Sequence, residues 1–285
     1  MTEAVIDVGS GSVRLLACGK KQTIMTKLGE GLNATGLLGK EAMERTIAVI
    51  KRFAEEAKRV ADKVYVFATE AVRAAANRAD FIRATDAECG VQLEVISGSE
   101  EAEIALLGAS EGGDATVVDI GGASVEIVSG DGDSLVYVKS LPLGVVRLTE
   151  QAGGDPGLIR AYAASGATGY GDVRLRPELI GVGGTLTSLA AMKSGITVYD
   201  PSGVDGCILT KEDLSAFAGK LSAMTESDIR KAYPVLPDMR CGLITAGAIL
   251  AEELLTYLGA PYIKVSESDN LDGFLRYKHK MTKDA

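Results

Sequence analysis

The amino-acid sequence predicts an α/β protein made of two similar domains that face each other. Strand-like and helix-like segments alternate along the first half of the chain, as they do in βαβ units. In addition, one pattern of strand, glycine-rich turn and strand occurs near the start and again near the middle. A polar, glycine-rich gap at 111–114 precedes the second copy. This gap predicts one domain over 1–113 and a second over 114–285. The last helix could pack back on the first domain.

The order of elements follows from the spacing of apolar residues. The runs "AVIDV", "VRLLAC" and "TIMTKL" predict a three-stranded meander, and the helical spacing over 39–60 is followed by the strand "KVYVFAT". A helix over 70–89, the strand "VQLEVIS" and a helix over 99–110 complete the first half. After the second meander come the strand "ELIGVGG", a helix over 185–193, two further helices, the strand "IKVSES" and a short terminal helix.

The composition predicts a globular, cytoplasmic protein that binds neither nucleic acid nor membrane. Of 285 residues, 46% are hydrophobic, and the net charge of -9 is opposite to the basic surface that nucleic acid requires. No run approaches the roughly 20 apolar residues of a membrane span, and the N-terminus is acidic where a signal peptide is basic. Neither the four cysteines nor the only histidine, His279, shows disulfide or zinc spacing. Buried free thiols are therefore predicted for Cys18, Cys89, Cys207 and Cys241.

The two meanders share a frame of aspartate, apolar residue, glycine, two small residues and serine. Glycines let a backbone approach an anion, successive N–H groups form a concave nest, and serine hydroxyls add donors. An aspartate at the end of each strand, Asp7 or Asp119, could hold a divalent metal or simply cap a turn, and the second copy favours the phosphate site. The predicted phosphate-binding residues are Gly9, Ser10, Gly11, Ser12, Gly121, Gly122, Ala123 and Ser124.

A third glycine-rich turn lies in "IGVGGTLTSLAAM", residues 180–192. It joins a predicted strand to a predicted helix, so the exposed N–H groups at the start of that helix could bind an anion or a nucleotide. The candidate residues of this turn are Gly183, Gly184 and Thr185.

Seven ordered stretches over nearly the whole chain resemble the exopolyphosphatase and guanosine pentaphosphate phosphatase family of the sugar kinase, Hsp70 and actin superfamily. These stretches are "VFATEAVRAAANRADFI", "LEVISGSEEAEIALLGA", "VVDIGGASVEIV", "SLPLGVVRLTE", "GVGGTLTSLAAM", "ITVYDPSGVDGCILTKEDL" and "MRCGLITAGAIL". The resemblance implies two ribonuclease-H-like domains facing across a cleft. It also implies release of terminal orthophosphate from polyphosphate, guanosine pentaphosphate or both, assisted by Mg²⁺ or another divalent cation.

The resemblance also assigns roles to single residues. It places the general base at Glu101, on the first turn of a helix, where a carboxylate could accept a proton from attacking water. Arg73 matches a phosphate-binding arginine, whose guanidinium can clamp two oxygens. Asp119 and Glu126 match catalytic acidic positions tied to Mg²⁺ and water, and Asp7 matches the first-motif aspartate, the third predicted metal ligand.

The sequence departs from the family pattern at five positions: Gly11 replaces Asn, Ala123 replaces Gly, Glu70 replaces a small hydroxyl residue, Glu103 replaces Arg, and Asp205 replaces His. The two glutamates add negative charge near a polyanion site, which disfavours the substrate unless a metal or a neighbouring base compensates.

The length of the substrate, the class of activity and the oligomeric state stay open. The chain lacks the C-terminal helical domains of longer family members, which favours short polyphosphates or a nucleotide over long polymers. A small-molecule kinase of the same superfamily and a non-catalytic sensor of phosphorylated nucleotides are the alternatives to a hydrolase. The apolar stretch "GLITAGAILAEELLTYLGA" could form a homodimer surface, although core packing is favoured.

Overall fold

The computed structural model describes residues 2–131 and 134–283, and the chain forms two compact units. The first unit comprises Met1–Ile104 and Asn270–Ala285, and the second comprises Ala105–Asp269. Each unit contains one β-sheet with helices packed against it, so the predicted α/β fold class is confirmed.

The first unit has a five-stranded sheet in the order β3-β2-β1-β4-β5. Strands β1, β2 and β3 form an antiparallel meander, while β4 and β5 run parallel to β1. The strands are β1 (Glu3–Val8), β2 (Ser12–Ala17), β3 (Lys20–Met25), β4 (Lys63–Ala68) and β5 (Leu93–Val95). The helices of this part of the chain are α1 (Leu32–Thr35), α2 (Lys40–Ala57), α3 (Glu70–Ala74), α4 (Arg78–Cys89), α5 (Gly98–Ser110) and the terminal α13 (Asn270–Lys283).

Helices α2 and α13 pack against the central strands of this sheet. The apolar face of α2 is buried through Ile50 and Phe53, residues at the helical spacing seen in the sequence. The Phe274 ring of α13 stacks on Phe67 of β4, with the ring centroids 4.3 Å apart. The terminal helix therefore contributes to the core of the first unit.

The predicted helix over 70–89 is wrong as one continuous element, because it is broken between α3 and α4. At Ala75 the backbone is extended, and the Ala76 amide donates to the Gly36 carbonyl at 3.0 Å. The Asn77 side chain accepts from the Leu38 amide at 2.9 Å and donates to the Leu38 carbonyl at 3.0 Å. These bonds to a distant loop replace helical hydrogen bonds.

The second unit has a six-stranded sheet in the order β10-β11-β9-β6-β7-β8. Its strands are β6 (Ala115–Ile120), β7 (Val125–Gly130), β8 (Leu135–Leu141), β9 (Glu178–Val182), β10 (Ile208–Thr210) and β11 (Tyr262–Val265). Its helices are α6 (Val145–Gln151), α7 (Pro156–Ala167), α8 (Gly184–Ser194), α9 (Lys211–Ser222), α10 (Glu226–Ala232), α11 (Asp238–Cys241) and α12 (Ile244–Leu258), with short 3₁₀ turns at Thr168–Tyr170 and Pro201–Gly203. Four helices thus lie between β10 and β11, where the sequence predicted two.

The two sheets repeat one arrangement. Strands β6, β7 and β8 form an antiparallel meander like β1, β2 and β3, and β9 runs parallel to β6 as β4 does to β1. This order confirms the ribonuclease-H-like arrangement for each unit. The first strand of each meander is buried on both faces, which explains its nearly continuous apolar sequence.

The structure also shows how far helix α12 and the four cysteines are buried. Helix α12 is buried along most of its length, as expected for core packing. Cys89 and Cys241 are buried as predicted, but Cys207 is half-buried and Cys18 is exposed because it lies in the tight turn between β2 and β3. Among the described residues, no helix is both long and apolar enough to cross a membrane.

Candidate functional site

The hairpin turns of the two meanders have the same backbone geometry. In the first, the Gly9 amide donates to the Ser12 carbonyl at 3.0 Å; in the second, the Gly121 amide donates to the Ser124 carbonyl, also at 3.0 Å. A Cβ atom would lie 3.3 Å from the Ser12 oxygen at Gly9 and 3.0 Å from the Ser124 oxygen at Gly121. Glycine at these positions therefore allows each turn to close tightly.

In the first hairpin, the segment that follows β3 holds the carbonyl groups. The Gly11 oxygen accepts hydrogen bonds from the amides of Thr26 (2.9 Å) and Lys27 (2.8 Å). The Ser10 oxygen accepts from the Gly29 amide at 2.8 Å. The carbonyl side of this turn is thus fixed by its own unit.

In the second hairpin, amides at the start of α6 donate hydrogen bonds to the carbonyl groups of the turn. The Gly144 amide donates to the Ala123 carbonyl at 3.2 Å, and the Val146 amide donates to the Gly122 carbonyl at 2.9 Å. The Val145 amide reaches the Gly121 carbonyl at 3.1 Å. Two different local structures therefore fix the carbonyl groups of equivalent turns.

The amide groups at the tips of both hairpins are available to a ligand. Within residues 2–131 and 134–283, the amides of Ser10, Gly11, Gly122 and Ala123 have no hydrogen-bond acceptor, and all four residues are exposed. Successive N–H groups in such a turn form an anion-binding nest. The phosphate-binding prediction for these turns thus has a physical basis in the backbone of each unit.

The residue pairs behind the two hairpins differ in charge. Asp7 lies opposite Arg14 in the register of β1 and β2, and Arg14 Nε donates to Asp7 Oδ2 at 3.0 Å. At the equivalent position of the second sheet, Asp119 lies opposite Glu126. Glu126 accepts a hydrogen bond from Ser140 Oγ at 2.5 Å. The first unit thus pairs a carboxylate with a guanidinium, whereas the second unit places two carboxylates on one face.

Two neighbouring carboxylates fit a divalent cation better than a carboxylate that already pairs with a guanidinium. Mg²⁺ prefers oxygen ligands and commonly uses one or two carboxylates, with water and phosphate oxygens completing its shell. In the part of the chain that the structure describes, no three Asp, Glu, His or Cys side chains converge to hold a metal. Asp119 and Glu126 are therefore the better metal-ligand candidates, and Asp7 is the weaker one.

The third glycine-rich turn lies against the end of β6, the strand that leads into the second hairpin. Gly183, between β9 and α8, has a φ of 89°, a conformation that favours glycine. A Cβ atom there would overlap Asp119 Oδ1. Strand β9 pairs with β6 through Val182 and Asp119, which explains this closeness. The structure therefore brings together two of the predicted elements of the second unit, the Asp119 strand end and the 183–185 turn.

Arg240, on the short helix α11, was not predicted from the sequence. Its guanidinium occupies the space that a side chain on Gly184 would need. Burial is the main cause of the lowered pKa of Arg240. Among the described residues, no carboxylate lies within ion-pair distance of Arg240. A partly desolvated cation thus lies at the turn where an anion was expected.

In the first unit, Arg73 on α3 links two carboxylates. Its Nη1 donates to Glu101 Oε2 at 3.0 Å and to the Ile96 carbonyl at 2.9 Å, and its Nη2 pairs with Glu70. Burial alone would lower the pKa of Arg73, but the hydrogen bonds and charges of Glu101 and Glu70 outweigh it and raise the pKa. The predicted base and the predicted phosphate-binding arginine are therefore in direct contact.

Glu101 lies in the first turn of α5, as the sequence predicted. The helix begins with a capping box, in which the Ser97 amide donates to Glu100 Oε2 at 2.8 Å and the Glu100 amide donates to Ser97 Oγ at 3.2 Å. The hydrogen bonds from Ser97 are the main reason that the pKa of Glu100 is lowered. Glu100 thus caps the helix, while its neighbour Glu101 points its carboxylate at Arg73.

The two departures that add negative charge each have a basic partner. Glu70 pairs with Arg73, and Glu103 accepts a hydrogen bond from Lys280 Nζ at 3.0 Å. A third departure, Asp205, has a hydrogen-bond partner that is distant in sequence, since its Oδ1 accepts from the Glu267 amide at 2.9 Å. Neighbouring bases therefore compensate both glutamates, although for Glu70 the base is the predicted phosphate-binding residue itself.

Comparison with known proteins agrees with this arrangement of motifs. The model of the Ppx/GppA phosphatase family matches residues 4–275. The chain belongs to the Ppx/GppA phosphatase family. This membership, together with the fold, makes it a hydrolase of the phosphatase type and confirms the family resemblance.

One curated relative and one solved structure match over almost their whole length, and a further relative matches over about half of its own. Exopolyphosphatase 2 of Mycobacterium tuberculosis is 34% identical over 310 residues, covering 95% of this chain and 96% of the relative. A Ppx/GppA family member from Aquifex aeolicus, known as a crystal structure, superposes with a TM-score of 0.85 at 29% identity, covering 99% and 98% of the two chains. A bifunctional 3-dehydroquinate synthase/phosphatase of Fusobacterium nucleatum is 30% identical over 95% of this chain and 45% of its own.

Proposed function

We propose that this Ppx/GppA protein releases terminal orthophosphate from inorganic polyphosphate, from guanosine pentaphosphate or from both, by attack of water. The observation that carries the proposal is the geometry of the two hairpin turns. Their carbonyl groups accept hydrogen bonds from neighbouring amides, while the amides at their tips have no acceptor in the described chain. The name of the Mycobacterium tuberculosis relative, exopolyphosphatase, supports polyphosphate as the substrate class. Short chains are the proposed preference.

Arg73 is the proposed ligand of the terminal phosphate in the first unit. Its contact with Glu70 joins two side chains three residues apart on α3, and the Glu70 side chain is 67% exposed. Such an exposed ion pair contributes only about 0–1 kcal/mol, so a phosphate group can displace Glu70 from Nη2. The Nη1 contacts with Glu101 and the Ile96 carbonyl would persist and keep the guanidinium oriented.

Glu101 is the proposed general base. A carboxylate at the start of α5 that is held by Arg73 has a defined position, which proton transfer in a transition state requires. It accepts the proton of the attacking water as the water oxygen bonds to the terminal phosphorus. The bond from that phosphorus to the bridging oxygen breaks, which releases orthophosphate and leaves the bridging oxygen on the shortened chain or nucleotide. In the first unit, the hairpin amides and Arg73 are the proposed donors to oxygens of the terminal phosphate.

A divalent cation, Mg²⁺ in the first instance, is the proposed cofactor. Asp119 and Glu126 would hold it, since they lie opposite each other on β6 and β7 and supply oxygen ligands. When bound, such an ion neutralises charge on phosphate oxygens during phosphoryl transfer. Asp7, with Arg14 beside it, is proposed to support the first hairpin more than to bind the ion.

A phosphate-release assay tests the function directly. Purified protein is incubated with short polyphosphate, guanosine pentaphosphate or ATP, with Mg²⁺ or with a chelator, and orthophosphate is measured. We expect release from polyphosphate or the pentaphosphate that depends on the cation. Transfer of label from ATP to a third compound would indicate a kinase instead, and tight nucleotide binding without any release would indicate a sensor.

Arg240 is proposed to bind substrate phosphate at the 183–185 turn. We expect Arg240→Met to raise KM for phosphate release by about 10- to 150-fold with a smaller change in kcat, because a charge-assisted hydrogen bond contributes roughly 1.5–3 kcal/mol. Steady-state kinetics on the substrate found active in the assay provide the measurement. The matched control is Arg230→Met, since Arg230 pairs with Glu226 and Asp238 on the surface of the same unit. Equal KM values for the two variants would contradict the role of Arg240.

A further inference from the structure

The terminal helix α13 bonds to both sides of the proposed base. Tyr277 OH donates to Glu100 Oε1 at 3.1 Å, and Lys280 Nζ donates to Glu103 Oε1 at 3.0 Å. In the chain, these two partners flank Glu101 on the first two turns of α5. A helix from the end of the sequence is thus attached to the segment that carries the base.

These contacts differ from ordinary surface ion pairs in their burial. The side chains of Lys280 and Glu103 are only 27% and 28% exposed. Burial, together with the hydrogen bond to Glu100, raises the pKa of Tyr277 to about 12, so this phenol remains a hydrogen-bond donor at neutral pH. The core contact between Phe274 and Phe67 fixes the helix that presents both side chains. Two partly buried hydrogen bonds therefore join α5 to a helix that is anchored in the core of the first unit.

We infer that α13 positions Glu101, with Lys280 as the main positioning residue and Tyr277 as its partner one turn earlier. This inference rests on the proposed function, because it assumes that Glu101 is the base. Arg73 orients the Glu101 carboxylate, while Lys280 and Tyr277 set the location of the helix from which Glu101 projects. Lys280 also neutralises Glu103, whose charge would otherwise oppose the approach of a polyanion.

A matched pair of lysine variants tests the inference. Lys280→Met removes the link to α5, whereas Lys21→Met removes a link between α13 and β3, in which Lys21 Nζ lies 2.6 Å from Asp272 Oδ2. The side chains of this control pair are 32% and 27% exposed, close to the values for the test pair. We expect Lys280→Met to lower kcat about tenfold, because small displacements of a catalytic group are costly, and also to raise KM, because Glu103 is left without its cation. Lys21→Met should retain the wild-type kcat and KM.

Three further variants separate positioning from folding. Glu103→Gln/Lys280→Met leaves no unbalanced carboxylate and should show the same loss of kcat. The reversed pair Glu103→Lys/Lys280→Glu and the conservative Lys280→Arg should both restore most of it. Equal kcat values for Lys280→Met and Lys21→Met, or no recovery in the reversed pair, would overturn the inference while leaving the proposed function intact. A wild-type protein that releases no phosphate would overturn the proposed function, and the inference with it.

Discussion

Glu101→Gln should lower kcat for phosphate release by about 100- to 1,000-fold, within the usual contribution of general base catalysis. Glutamine has nearly the same size and can still accept the hydrogen bond that Arg73 Nη1 gives to Glu101 at 3.0 Å. It cannot accept a proton from water at neutral pH. In the proposed function, the hairpin amides and the guanidinium groups bind the substrate, so KM should change little.

The control for this variant is Glu88→Gln, an exposed glutamate on α4 of the same unit. It removes the same charge from the same unit and should retain the wild-type kcat. Both proteins should melt within a few degrees of the wild type, since neither substitution changes a buried side chain. A Glu101→Gln protein with nearly wild-type turnover would show that another group activates the water.

The parts of the fold that the sequence predicts well are those set by local patterns. Alternating strands and helices are visible in the apolar spacing, and the repeat of Asp7 to Ser12 at Asp119 to Ser124 reveals the two meanders. The hairpin geometry follows from the glycines, because Gly9 and Gly121 occupy the same position in equivalent turns. A duplicated motif thus carries more information than either copy alone.

Features that depend on contacts between distant residues are not visible in local patterns. The break between α3 and α4 arises from bonds between Asn77 and Leu38, which are 39 residues apart. Arg240 lies at the 183–185 turn because Gly184, far away in sequence, leaves room for its guanidinium. Its only signal was the stretch "MRCGLITAGAIL", which carried family resemblance but assigned no role to the arginine.

The duplication also places different residues opposite the motif aspartate in the two units. Both sheets present a tight hairpin with open amides, but the residue opposite the motif aspartate is Arg14 in one unit and Glu126 in the other. A guanidinium neutralises Asp7 without a metal, whereas Asp119 and Glu126 are the proposed cation ligands. Cation dependence should therefore reside in the second unit, although the hairpin sequences look alike.

Gly144→Ala should destabilise the protein by about 3 kcal/mol, the upper part of the usual range for overpacking. Gly144 precedes α6, and a Cβ atom there would overlap backbone atoms of Gly122 and Ala123. Backbone cannot rotate away as a side chain can, so α6 or the hairpin must move. Either movement strains the bonds from the Val145 and Val146 amides that hold the hairpin carbonyls, at 3.1 and 2.9 Å.

Thermal unfolding and phosphate release together measure this effect. A loss of that size lowers Tm by about 6–12 °C for a domain of this length, and KM should rise because the hairpin amides are displaced. Gly219→Ala is the control, since Gly219 is exposed on α9 of the same unit and a Cβ atom there has no neighbour within 4 Å. It should raise Tm slightly, because alanine favours a helix over glycine by about 0.8–1 kcal/mol. If Gly144→Ala were as stable as Gly219→Ala, the attachment of the hairpin to α6 would not determine its shape.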